Sequence, residues 1–385
     1  MALHFTQQEF DNRSASLLKR MQEEKLDAML LFAQESMYWL TGYDTFGYSF
    51  VQCLVVKSDG SKVLLTRPAD HRQAMRTSNL TDIRAWIVWG ESSPIGQLKD
   101  LLFDLDLLGA RIGVEYETHG MTGNIALEIQ QELNSFADLS DASRIIPLLR
   151  AIKSDEELVV IRKAAELADQ AYEAGWEEIR PGAKEDTILA AMQSAVLEGG
   201  GDYPANEFVI GSGQDALLCR YQSSRRTLQA NDQITLEWAG VYRHYHCAAM
   251  RTIVVGTPTP RHHEMYDACR AALSEVETVL RPGNTMGDLF EAHARTLDDR
   301  GMMPHRLNAC GYSLGARFAP TWVDRPMAYK NNPTEIAKNM VLFLHMILMD
   351  SVNETAMSIG QTYLVTDAGP EALTRHPLDL PIKAG

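Results

Sequence analysis

The sequence predicts an α/β (α+β) chain in two domains, residues 1–147 and 148–385, the second built from two similar halves. Three observations carry this. Short apolar runs alternate with helical patterns over about the first 145 residues, as in an α/β domain. The character changes near Ile146, where a linker leads into a long capped helix. Downstream, Arg-Pro-Gly recurs at 180–182 and 281–283, each time between two helical patterns.

Taken in order, residues 6–24 place Phe10, Leu17, Leu18 and Met21 on one side of a helix. Residues 28–32 form a short apolar strand. Residues 36–40 make a helical turn that Thr41-Gly42-Tyr43-Asp44 ends. Residues 51–56 and 62–66 alternate as strands around the turn Ser58-Asp59-Gly60, and 83–88 and 111–115 are further strands. Ser154 with Glu157 makes a capping box, and the acids at 155–157 suit a helix N-terminus. That helix runs to about Glu178. Residues 176–186 resemble 277–288, which suggests two halves around a pseudo-twofold axis with a site where they meet. Thr259-Pro260 opens the matching helix of the second half. Strands follow at 340–349 and 356–366, and Gly369-Pro370 closes the last. The final fifteen residues contain proline and read as loose.

Composition narrows the function. Apolar residues make up 45%, enough for a full core. A net charge of −15, from 36 basic and 51 acidic residues, argues against nucleic acid as a partner. There is no apolar run of membrane length, and the start MALHFTQQEFDNR is too polar and acidic for a signal peptide. The five cysteines form no C-x-x-C pair, which points to reduced thiols and a cytoplasmic protein.

Residues 233–252 read QITLEWAGVYRHYHCAAMRT and predict a hairpin: an apolar run at 234–238, a turn near Gly240, and a returning run at 250–255. Glu237 sits inside the first run. An unpaired carboxylate there is costly, so Glu237 has a partner, a proton or a chemical role. Strand alternation leaves open whether Glu237 or Trp238 faces the interior, and a bulge would exchange them.

Four stretches resemble the pita-bread family of methionine aminopeptidase, prolidase, aminopeptidase P and creatinase. They are the linker helix LLRAIKSDEELVVIRKAAELAD, the hairpin ending in Arg251-Thr252, Cys310-Gly-Tyr-Ser-Leu-Gly315, and Gln361-Thr-Tyr-Leu-Val-Thr366 with Gly369-Pro370. Met37-Tyr-Trp-Leu-Thr-Gly-Tyr43 is similar to the smaller domain of prolidases and creatinases. The resemblance implies a creatinase-like α/β domain followed by a pseudo-twofold pita-bread domain. The family's peptidases hold two metal ions with two Asp, one His and two Glu. Matched by motif, the second Asp falls on Ala248, the His on Tyr312, one Glu on His345 and the last Glu on Gly360. The first Asp falls on Glu237 or Trp238, depending on the spacing kept. Asp350 and Glu354 lie nearby but off register. The resemblance therefore implies a site without metal or other cofactor, and without a metal-bound hydroxide to cleave peptides.

Within the family, Leu236-Glu-x-Ala-Gly240, Arg243-x-Tyr-His246, Gly311-Tyr-Ser-x-Gly315 and Trp39-Leu-Thr-Gly-Tyr-Asp44 are similar to the ectoine hydrolase branch. The chain departs from that branch at Gly360-Gln361 and Thr321-Trp-Val-Asp324. The resemblance implies metal-independent hydrolysis of a non-peptide carbon–nitrogen bond in a small zwitterion, first an ectoine or hydroxyectoine-type cyclic amidine. A creatinase-like amidinohydrolase, a non-catalytic binding module and, last, a Xaa-Pro metallopeptidase are the alternatives.

Glu237 is then the nucleophile or cation anchor, or else a core acid paired with Arg243 or Arg251. His345 moves the proton near neutral pH, or is a core histidine. Tyr312 donates to developing charge or orients His345, or bonds only to backbone. Arg220 is a candidate clamp for a substrate carboxylate, and His246 either shares that role or braces the hairpin. Trp322, Phe46 and Tyr43 are candidate walls against a small cation. By resemblance, the loop at 43–48 reaches into the partner subunit's site in a homodimer.

Overall fold

A computed structural model describes residues 3–87, 90, 93–219 and 225–384. Val88, expected to end a strand, and Arg220 lie outside the described residues. The chain divides into two compact units, Met1–Arg150 and Ala151–Gly385. The boundary expected after Pro147 falls inside a helix, Ile145–Ala151. Proline is tolerated there because the first helical turn has no intrahelical partner for its missing N–H.

The first unit runs α1 (Gln7–Glu23), β1 (Ala28–Leu31), α2 (Gln34–Thr41), β2 (Cys53–Lys57), β3 (Lys62–Thr66), α3 (Pro68–Thr77), β4 (Asp82–Ala85), α4 (Pro94–Asp104), β5 (Arg111–Val114), α5 (Gly123–Leu133), β6 (Asp138–Asp141) and α6 (Ile145–Ala151). Its six strands are ordered β4-β3-β2-β1-β5-β6. β2 is antiparallel to both β1 and β3, whereas β4 joins β3, β5 joins β1 and β6 joins β5 in parallel. Both faces are covered. Ala28 and Leu30 join one apolar cluster and Met29 and Leu31 the other, as strand alternation requires.

The second unit contains α7 (Asp155–Glu178), α8 (Glu185–Glu198), β7 (Val209–Ser212), β8 (Asp232–Tyr242), β9 (Tyr245–Val255), α9 (Pro260–Val279), α10 (Met286–Asp298), β10 (Ala309–Ser313), β11 (Asp324–Tyr329), β12 (Val341–Asp350), β13 (Thr355–Thr366), β14 (Gly369–Ala372) and β15 (Ile382–Lys383). The sheet follows β11-β10-β12-β13-β9-β8-β7, with β14 added to β13 and β15 to β9. α7 and α8 accompany β7–β9, and α9 and α10 accompany β10–β13. Both Arg-Pro-Gly segments join the two helices of a half, and their glycines share a positive φ, 85° at Gly182 and 91° at Gly283. The Ser154–Glu157 capping box is present. Among the described residues no helix is long and apolar enough to cross a membrane.

Two expectations are corrected. The hairpin turns at Arg243 and His244, both at positive φ (50° and 64°), as a two-residue loop requires, and not near Gly240. Gly240 lies within β8 opposite Cys247. A Cβ there would lie 1.9 Å from Ala164 O and 2.3 Å from Ala168 N, so the glycine admits the backbone of α7. The last fifteen residues are also packed. Leu373 N–H donates to Thr362 O (2.9 Å), Arg375 N–H to Asp169 Oδ1 (2.9 Å) and His376 Nδ1–H to Asp169 Oδ1 (3.0 Å). These partners stand hundreds of positions away or on another strand, so local composition carried no sign of them.

Candidate functional site

The strand register assembles one rung across five strands. Val209 pairs with Glu237, Glu237 with Met250, Met250 with Gly360, and Gly360 with His345. Directly paired residues share a face, so Glu237 and His345 point to the same side of the sheet. Tyr312 and Phe343, themselves paired, belong to that side through β12. Trp238 takes the opposite face. It is 0% exposed, its indole N–H donates to Ala168 O (2.9 Å), and its ring stacks on Tyr172 at 5.3 Å.

On the shared face lies a cavity of about 500 Å³, lined by Glu237, Tyr312, Trp322 and His345 together with Asn206, Glu207, Cys219 and Met327. Tyr312 Oη donates to Glu237 Oε1 (3.2 Å) and accepts the indole N–H of Trp322 (2.9 Å). The backbone N–H of Trp322 donates to Asn206 Oδ1 (3.0 Å). Tyr312 therefore orients Glu237, where His345 was the expected partner. The rings of Tyr312 and Phe343 lie 5.8 and 5.5 Å from that of His345.

His345 is buried, and its Nδ1 has no hydrogen-bond partner among the described residues. Burial pushes its pKa down to about 4, so in the free protein the imidazole is neutral at pH 7 rather than titrating there. Its cationic form is disfavoured there unless a nearby negative charge compensates it.

The other expected site residues separate. His246 is fully buried and does not line the cavity. Its Nε2 accepts the Ala205 N–H (2.9 Å), and burial lowers its pKa to about 3, so it braces a wall segment. Arg251 is not the partner of Glu237. From the opposite face it donates to Gly360 O (2.6 Å), Met250 O (2.7 Å) and Gln361 Oε1 (3.0 Å). Tyr43 is a core residue of the first unit. Its hydroxyl donates to Gln52 Oε1 (3.2 Å), and burial raises its pKa to about 12, which leaves it no surface to offer a substrate. Phe46 is 86% exposed on that unit. Asn206, Cys219 and Phe343 went unnoticed in the sequence. Period-two alternation from His345 could have found Phe343, but nothing local marks the other two.

The donor positions implied by the resemblance permit a test of the metal pair. Ala248 and Gly360 carry no donor. At Gly360 a Cβ would meet the Phe343 ring at 2.6 Å and Met250 Cβ at 2.7 Å, so an aromatic ring fills the space a carboxylate would need. Asp350 is bound to Arg261 (2.7 Å) and Asn353 (2.8 Å) at the far end of β12. Among the described residues no three His, Cys, Asp or Glu converge. One carboxylate and one neutral imidazole do not fit two hard divalent cations.

Residues 160–367 match metallopeptidase family M24, and residues 13–152 match the creatinase/prolidase N-terminal domain. Ectoine hydrolase of Halomonas elongata is 26% identical over 400 residues, covering 100% of this chain and 99% of its own. A Xaa-Pro dipeptidase of Pyrococcus furiosus is 24% identical over 370 residues, covering 96% and 99%. Recombinant prolidase of Thermococcus sibiricus superposes with a TM-score of 0.86 at 18% identity over 97% of this chain and 99% of that one. Dipeptidase PepE of Mycobacterium ulcerans gives 0.85 at 20% over 98% and 99%. At such identities the structures speak for the fold alone. With more than half its length inside the family match, and residues 13–152 matching the associated N-terminal domain, the chain belongs to metallopeptidase family M24.

Proposed function

We propose that this chain hydrolyses a non-peptide carbon–nitrogen bond in a small zwitterion without a metal ion, and that a cyclic amidine of the ectoine type is its substrate. The observation that carries the reading is Glu237: a carboxylate aimed into the cavity and held by Tyr312, where Phe343 fills the space a metal-binding side chain at Gly360 would use. The full-length similarity to an ectoine hydrolase supports it.

In this reading the Glu237 carboxylate attracts the amidinium and attacks its central carbon. One ring nitrogen leaves as an amine after gaining a proton, which opens the ring and leaves carbon bonded to the Glu237 oxygen. Water then adds to that carbon. Collapse of the adduct expels the Glu237 carboxylate and yields an N-acetylated diamino acid. His345, neutral at rest, relays a proton from the retained to the departing ring nitrogen as the ring opens, then accepts the proton of the attacking water and passes it to the released amine. The aromatic faces of Trp322 and Tyr312 border the cation. In a homodimer, exposed Phe46 is the first-unit residue offered to the partner's cavity.

The test is turnover of ectoine and hydroxyectoine, followed by mass spectrometry of the ring-opened product, with Glu237→Gln as control. Wild type should turn over after exhaustive chelation, and Glu237→Gln should lose at least about a thousandfold while keeping its unfolding midpoint. Unchanged turnover in the variant removes Glu237 from the mechanism. The competing reading, Xaa-Pro hydrolysis, draws on the similar dipeptidase and requires Xaa-Pro cleavage that chelation abolishes.

A further inference from the structure

An indole N–H can only donate a hydrogen bond, whereas a phenol hydroxyl carries one proton and accepts on its oxygen. Trp322 Nε1 lies 2.9 Å from Tyr312 Oη, so Oη must be the acceptor in that contact. The hydroxyl proton is left to point elsewhere, and Glu237 Oε1 stands 3.2 Å away. Read from its donor end, the chain Trp322–Tyr312–Glu237 has one polarity. The reverse would leave a buried indole N–H without an acceptor.

The indole is itself clamped. Trp322 is buried, its backbone N–H is fixed on Asn206 Oδ1, and Phe208 and His246 flank its ring at 6.5 and 6.1 Å. His246 holds the same wall segment through Ala205. This gives a chemical role to a tryptophan that sequence reading treated only as an apolar wall, and it explains why a fully buried histidine stands beside the cavity without lining it.

We infer that Trp322 is a positioning residue for the proposed reaction: its indole N–H locks the Tyr312 hydroxyl as a donor toward Glu237. The inference rests on the reading that Glu237 is the reacting carboxylate. A donor held on Glu237 fixes the orientation of its carboxylate before attack. It also stabilises the carboxylate as it departs from the adduct in the second half of the reaction. Because the polarity is built in before substrate arrives, no reorientation of the hydroxyl is needed during turnover.

The experiment has one arm without substrate and one with it. Protein carrying 15N at its six indoles is recorded by NMR, and the Trp322 resonance is assigned by its loss in Trp322→Phe. Removing the acceptor at the far end, with Glu237→Ala, weakens the polarised hydroxyl and should move the Trp322 indole proton upfield. Tyr312→Phe should move it further, and the double variant should match Tyr312→Phe alone. A Trp322 resonance that ignores Glu237→Ala overturns the inference. In the second arm, Trp322 is replaced by benzothienylalanine, which keeps the bicyclic shape and exchanges N–H for sulfur. The expected result is about a tenfold fall in kcat on ectoine with KM within about twofold, the signature of an interaction used in the transition state. An unchanged kcat in an active enzyme overturns it. Wild type inert toward ectoine would instead refute the substrate, and the resonance would still decide the role of Trp322.

Discussion

Gly240→Ala adds a single methyl group at a position where the strand meets the backbone of α7. The new carbon would sit 1.9 Å from Ala164 O and 2.3 Å from Ala168 N, while ordinary contact begins at 3.4 Å. α7 or β8 must therefore retreat by about 1.5 Å, the difference between contact and the built distance to Ala164 O. Neither atom belongs to a side chain that can rotate away. Overpacking of this kind costs about 1–3 kcal/mol. The retreat also stretches the 2.9 Å bond from the Trp238 indole to Ala168 O, and a buried N–H left unpaired adds about 1–3 kcal/mol. Together, about 2–6 kcal/mol is a large share of the about 5–15 kcal/mol that holds an ordinary domain. Urea unfolding gives the loss, and hydrogen exchange of α7 and β8 peptides locates it. Because Glu237 lies three residues away on β8, turnover should fall with it. A loss below about 1 kcal/mol with α7 protection unchanged would refute the close approach of these backbones.

Three other outcomes follow from the same geometry. Burial lowers the pKa of His345 to about 4 and of His246 and His293 to about 3, whereas the unfolded chain titrates near 6.5. The unfolded state thus binds more protons below pH 6.5, so the second unit should lose stability as pH falls from 6.5 toward 4, by about 2 kcal/mol per histidine at pH 5. Thermal melts between pH 7 and 4.5 check this, and a flat profile contradicts the burial. Gly360→Glu should bind no metal by elemental analysis and should lower stability by about 1–3 kcal/mol, because its side chain must displace Phe343. Two bound ions with stability intact would show that the space is open. His376→Ala removes the hydrogen bond to Asp169 and the 4.9 Å stack on Tyr172, and it should cost about 2 kcal/mol in urea unfolding. An effect within about 0.5 kcal/mol would restore the loose tail.

The candidate site was only partly legible because its parts differ in range. Glu237 announced itself locally, since a carboxylate among Ile234, Leu236 and Trp238 breaks an apolar run. His345 stood out only through its matched motif. Tyr312 and Trp322 were visible as residues but not as a chain, because a hydrogen bond across 10 positions in an irregular segment leaves no periodic trace. The sequence offered His246 as a substrate clamp or a brace of the hairpin, and Tyr43 as a wall against a small cation. Both side chains are buried and hydrogen-bond inside the protein, His246 Nε2 with the Ala205 N–H and the Tyr43 hydroxyl with Gln52, and neither contact is visible in the local pattern.

What the sequence determined by itself was local and periodic: the capped start of α7, the paired Arg-Pro-Gly stops, the alternating strands and the acid embedded in one of them. Register and face belonged to the tertiary structure. Only the packing of α7 against Gly240 sent Trp238 to the helix side and Glu237 into the cavity, and only the pairing of β9, β13 and β12 brought His345 onto the same rung. The physical reason is that a strand's two faces are equivalent along the chain until a neighbour covers one of them.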